Sequence, residues 1–131
     1  MRMRIRGIGK NPTFLKSTII AAKGFVTVVR KERKITIAFV FGLIFINLAL
    51  WVKASHVETL LIMSAWTQVI VGEILNTSLE KVMDYAAGKE FHPLVKRGKD
   101  YAAASVFVLS ILATFVSLFL IGVRLFHPNL R

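Results

Sequence analysis

Cysteine is absent from this chain of 131 residues. That excludes disulfides, thiolate metal sites and cysteine nucleophiles. Acidic residues are scarce: seven Asp and Glu stand against 18 Lys and Arg, a formal net charge of +11. No internal repeat and no Gly-, Ser- or Pro-rich linker divides the sequence, and the length suits one domain. A Walker-type phosphate loop is missing too. Gly7-Ile8-Gly9-Lys10 echoes one, but without the strand and helix that the motif requires. His56, His92 and His127 are scattered and lack the spacing of a metal site. The basic N-terminus is not that of a signal peptide, because FLKSTIIAAKGF is interrupted by Lys16 and Lys23 and leaves no apolar core of sufficient length.

What the sequence does contain is hydrocarbon. It is 55% hydrophobic, with a mean hydropathy of +0.62, which is too apolar for an ordinary soluble domain. Residues 35–52 (ITIAFVFGLIFINLALWV) and 101–123 (YAAASVFVLSILATFVSLFLIGV) carry no charge and are long enough to span a bilayer. Between them TLLIMSAWTQVIVG is short, and reaches spanning length only if its helix runs on through Glu73 and Asn76. The expected organisation is one membrane-embedded domain over 1–131. Residues 1–34 form a basic interfacial segment, and transmembrane helices cover 35–52, 57–84 and 101–123. Basic residues crowd the segment before the first span and the loop after the second, whereas the loop between spans one and two holds only Lys53. The positive-inside rule therefore places the N-terminus and the second loop in the cytoplasm. The bases flank apolar spans and form no patch with interleaved aromatics, which argues against nucleic acid as a partner.

Residues 13–31 (TFLKSTIIAAKGFVTVVRK) alternate with a helical period. Thr13, Lys16, Ser17, Lys23, Thr27, Arg30 and Lys31 fall on one face, and Phe14, Leu15, Ile19, Phe25, Val26 and Val29 on the other. This is the pattern of a basic amphipathic helix lying in the membrane interface, entered at Asn11-Pro12. Glu32 follows as the lone acid of the basic segment. On its own it is as easily a partner for Arg33 or Lys34 as a functional group.

The end of the second span reads GEILNTSLEKVMD. With Glu73 as zero on a helical wheel, Asn76 falls near about −60°, Glu80 about −20° and Asp84 about +20°. The four share one stripe running from membrane depth towards water. Ionisable groups at that depth are costly and tend to mark function. Glu80 and Asp84 also suit plain helix-end polarity, and Asn76 suits interhelical hydrogen bonding. Glu73 has no basic neighbour in sequence and carries the strongest functional signal. The loop YAAGKEFHPLVKRGKD then supplies Lys96, Arg97 and Lys99, with His92-Pro93 opening a short helix and Asp100 expected as a cap to the next one. Cations facing a carboxylate stripe suit a phosphate-bearing ligand with Mg²⁺, which takes only one or two protein carboxylates.

GEILNTSLEKVMD followed by EFHPLVKRGKDYAAASV resembles the small integral-membrane diacylglycerol kinases of bacteria, a family that includes the undecaprenol kinases. The resemblance covers about residues 23–123 in the same order of elements. It implies an all-α membrane protein, with an N-terminal surface helix and three transmembrane helices, assembled as a homotrimer in the bacterial inner membrane. It implies an enzyme that uses ATP and Mg²⁺ to phosphorylate a membrane lipid alcohol. Glu73 then matches the general base and Asn76 the neighbouring catalytic amide. Glu32 and Glu80 match ligands of the metal and ATP, and Glu90, His92, Lys99 and Asp100 match ATP contacts. Lys23 and Glu73 match contacts to the lipid substrate. The sequence departs from the family pattern at Thr13, where an arginine is frequent, and over residues 33–38, where an Asn-Phe-Arg run is common. The expected reaction is conversion of diacylglycerol to phosphatidic acid. Undecaprenol is the alternative acceptor, and a small helical transporter or channel subunit using Glu73 for cations is a reading from another class. A third is a purely structural bundle packed through Ala102, Ala103, Ala104 and Ser105.

Overall fold

A computed structural model of the protein describes residues 13–88 and 90–127. The Gly7–Lys10 echo, the Asn11-Pro12 helix entry, and the basic residues Arg2, Arg4, Arg6, Lys10 and Lys89 lie outside the described residues. All regular structure among the described residues is helical: α1 (Phe14–Lys31), α2 (Arg33–Trp51), α3 (His56–Ala87) and α4 (Pro93–Phe126). The chain falls into two compact units, Met1–Glu32 and Arg33–Arg131.

In the first unit, α1 carries no acid in its first turn and ends on Arg30 and Lys31, whose charge complements the helix dipole at that end. Phe14, Leu15, Phe25 and Val26 are exposed along it, as expected of a helix whose apolar side is made for lipid. The helix stops at Glu32, which adopts an extended conformation (φ −107°, ψ 103°) while its N–H closes the last turn on the Val28 carbonyl.

In the second unit, α2, α3 and α4 are each long and apolar enough to cross a membrane. Nineteen residues of α2 span about 28 Å at ~1.5 Å per residue. At its end the chain reverses through Lys53, held at φ 56°, a left-handed conformation that is unusual for a non-glycine residue. Ser55 caps α3 by accepting from the Glu58 N–H, and the Glu58 carboxylate accepts from the Ser55 N–H in return. Gly88, at φ 63°, ends the helix. Pro93 then opens α4 with the His92 ring accepting from the Leu94 N–H. The expected short helix and Asp100 cap are not what forms. Helix α4 runs unbroken from Pro93, because nothing between Pro93 and Asp100 breaks it, and Asp100 sits inside it on an exposed face.

The bundle closes on Trp66. Phe41 and Phe45 of α2 stack on its indole with centroids 6.0 and 5.3 Å away, and its N–H donates to Ser117 of α4 at 3.1 Å. Gly42 makes this contact possible, since a Cβ there would lie 3.2 Å from the Trp66 Cβ. Ala38, Ala49, Ile62, Val69, Ala113 and Ile121 complete the core. The small residues that bring helices together are thus Ala38, Gly42, Ala49, Ala113 and Ser117. Of the Ala102–Ser105 run, Ala103, Ala104 and Ser105 are exposed.

Candidate functional site

Helical periodicity gathers the polar residues of α3, as the spacing requires. Asn76 is buried and donates to the Glu80 carboxylate at 3.2 Å. Glu80 also faces Lys34 of α2, 3.6 Å away. Glu73 lies one turn deeper, half-buried. Two of these buried oxygens, Glu73 Oε2 and Asn76 Oδ1, have no hydrogen-bond partner among the described residues. Buried polar atoms normally find a partner in protein or ordered water, so both oxygens are left able to accept from a water, ion or ligand.

Two clefts meet here. One, of about 240 Å³, lies between α2, α3 and α4 and is lined by Lys34, Phe41, Trp66, Glu73, Ser110 and Thr114, among others. The other, of about 280 Å³, shares Lys34, Glu73 and Ser110 with the first and adds Asn76 and Ala103. An apolar floor of Phe41 and Trp66 beneath a carboxylate and a lysine suits an amphiphile with its polar end at Glu73.

A third cleft, of about 370 Å³, opens beyond the α3–α4 connection and is lined by Asp84, Glu90, His92, Lys96 and Lys99 together with apolar neighbours. Lys99 is ion-paired to Asp84 across it. Gly98 lies against this region with Met83, whose Cε would be 2.8 Å from a Cβ at position 98, so a side chain there would displace the tip of the Met83 side chain.

The structure therefore brings Glu73, Asn76 and Glu80 into one group, and Glu90, His92 and Lys99 into another. Asp100 lines neither cleft. Lys23 and Glu32 belong to the first unit, Lys23 as an exposed residue of α1 and Glu32 as its half-buried end. Among the described residues no cluster of three or more His, Cys, Asp or Glu forms a ready-made metal cage. The donors that do stand together are hard oxygens: the Glu80 carboxylate and, on the residue that donates to it, the orphaned Asn76 oxygen. They fit Mg²⁺, which prefers oxygen and keeps most of its shell for water and phosphate.

Sequence reasoning missed three features. Lys34 was one cation among several in RKERK, and only packing of α2 on α3 singles it out. Ser110 and Thr114 read as ordinary polar spots in a span. Arg124 and Glu58, paired at 2.8 Å between the far ends of α3 and α4, are 66 residues apart.

The model of the prokaryotic diacylglycerol kinase family matches residues 19–121. The diacylglycerol kinase of Helicobacter pylori is 37% identical over 78 residues, covering 59% of this chain and 59% of that protein. The Escherichia coli diacylglycerol kinase is 34% identical over 71 residues, covering 54% and 57%. The Haemophilus influenzae diacylglycerol kinase is 30% identical over 94 residues, covering 72% and 79%. The chain thus matches little more than half the length of the first two relatives.

Proposed function

The chain belongs to the prokaryotic diacylglycerol kinase family, and from that premise we propose that it is a lipid kinase acting on diacylglycerol. The lipid hydroxyl oxygen bonds to the γ-phosphorus of ATP, the bond from that phosphorus to the β–γ bridging oxygen breaks, and ADP and phosphatidic acid leave. The protein works in the bacterial inner membrane as a homotrimer, with its N-terminus and the α3–α4 connection in the cytoplasm.

The observation that carries this reading is Glu73: a carboxylate with an unpartnered oxygen at an apolar cleft, on the same helix face as Asn76 and Glu80. Glu73 takes the proton of the lipid hydroxyl as it attacks. Asn76 holds Glu80 in place, and Glu80 would hold Mg²⁺; Glu32 is assigned to the metal by the family resemblance alone. The ion supplies neutralisation of the phosphate charge when bound. Glu90, His92 and Lys99 line the water-facing cleft where the nucleotide sits, and Lys99 exchanges Asp84 for phosphate oxygens. Positioning and charge neutralisation are most of what phosphoryl transfer needs. Asp100, outside that cleft lining, is given no direct contact in this reading.

The test is γ-labelled ATP with the purified full chain in lipid–detergent micelles and a panel of lipid alcohols. Label should appear in phosphatidic acid, with diacylglycerol preferred over undecaprenol. A large preference for undecaprenol would reassign the acceptor, and label in no lipid would overturn the kinase reading.

A further inference from the structure

Hydroxyl groups inside a membrane helix normally donate to a carbonyl of their own helix, since an unpartnered donor in hydrocarbon is costly. This chain follows the rule at Thr59, Thr67, Ser78, Ser105 and Ser117, each of which donates to a carbonyl three or four residues back. Ser64 and Thr77 of α3 have no such bond among the described residues, and neither do Ser110 and Thr114. The last two are half-buried and stand one turn apart on α4. Both line the 240 Å³ cleft that holds Glu73. The other neutral donor of that cleft, the Trp66 N–H, is already committed to Ser117.

We propose that Ser110 and Thr114 determine acceptor specificity by donating hydrogen bonds to the ester carbonyls of a glycerolipid alcohol whose free hydroxyl lies at Glu73. This rests on the lipid-kinase reading and adds to it the residues that choose the lipid. The chemistry is complementary. An ester carbonyl accepts and cannot donate, and the two side chains offer donors about 6 Å apart along the helix, the scale on which two esters sit on neighbouring glycerol carbons. A polyprenol has nothing beyond its terminal hydroxyl to accept either bond. It would leave both donors unpartnered in an apolar cleft, and sites built to hydrogen-bond a substrate reject analogues that lack the partner.

Steady-state kinetics on the full chain in mixed micelles test this. The acceptors are a diacylglycerol, the matching dialkylglycerol, which has ether oxygens and no carbonyls, and a polyprenol. Wild type should favour the diacylglycerol. The Ser110→Ala/Thr114→Val double variant should raise its apparent KM about tenfold or more, the effect of two neutral hydrogen bonds, with kcat little changed. The KM for the dialkylglycerol and the polyprenol should fall, because the donors they leave unpartnered are gone. Thr114→Ser, which keeps the donor, should behave as wild type. The proposal is overturned if the double variant weakens all three acceptors equally, which is a packing effect, or weakens none. It is also overturned if wild type treats diester and diether alike, a comparison that needs no variant. A wild type that phosphorylates none of them sinks the kinase reading itself, whereas an active wild type with flat variants sinks only the role of Ser110 and Thr114.

Discussion

Each carboxylate at the site is assigned a different task by its surroundings. Glu73 has an orphaned oxygen and an apolar cleft, whereas Glu80 has Asn76 on one side and Lys34 on the other. Glu73→Gln keeps the shape and removes the base, so kcat should fall by about 100-fold or more while folding and assembly persist. Retention of a tenth of the wild-type rate would remove Glu73 from that role. The metal assignment predicts opposite effects of two neighbouring substitutions. Glu32→Gln removes the carboxylate that the family resemblance assigns to the metal, so the Mg²⁺ concentration for half-maximal rate should rise. Lys34→Met removes a cation that competes with the metal for Glu80, so that concentration should fall. Arg33→Gln should do neither. Initial rates against free Mg²⁺ at fixed ATP and lipid decide it, and unchanged profiles for both Glu32→Gln and Lys34→Met would separate these residues from the metal.

At the scale of the helices, the ends of the bundle divide labour. Glu80 and Lys34 face each other at one end. At the other, Glu58 accepts from Arg124 while completing the cap of α3 with Ser55. Both charged side chains are largely buried there, at 18% and 14% exposure. Glu58→Gln should therefore lower stability by about 1.5–3 kcal/mol, the usual worth of a hydrogen bond to a charged group. It should read as a lower Tm in detergent. Because Glu58 is fifteen residues from Glu73, about 22 Å along α3, kcat at temperatures well below Tm should stay near wild type, and a selective loss of kcat would give this pair a place in catalysis. The sequence revealed one end and not the other for a physical reason. Glu73, Asn76, Glu80 and Asp84 are seen together because helical periodicity alone puts them on one face. Glu58 and Arg124 meet only once α3 packs on α4, and Lys34 stands out from its basic neighbours only once α2 does. Asp100 does not cap a helix because the one opened at Pro93 continues through Gly98 and past it.

For the whole molecule, the homotrimer implied by the family resemblance raises the question of which polar groups a neighbouring subunit would cover. The structure covers the orphaned oxygens of Glu73 and Asn76 within one chain and leaves other groups exposed at membrane depth. Ser64, Thr67 and Gln68 form an i, i+3, i+4 patch on the outer side of α3, and among the described residues Gln68 reaches only the Ser64 carbonyl, at 3.4 Å. An amide has more donors and acceptors than that one contact satisfies, and lipid offers none. Packing α3 against copies of itself would supply them, as polar residues do between membrane helices. The protein should accordingly run as a trimer when the mass of the detergent complex is corrected for bound detergent. The absence of native cysteine makes the contact directly testable. Gln68→Cys should form disulfide-linked chains under mild oxidation in the membrane, whereas Phe119→Cys, on an exposed apolar face of α4 suited to lipid, should not. Monomers with full activity, or crosslinking at Phe119 in place of Gln68, would move the subunit contact away from α3 and leave its polar patch without the partner argued for here.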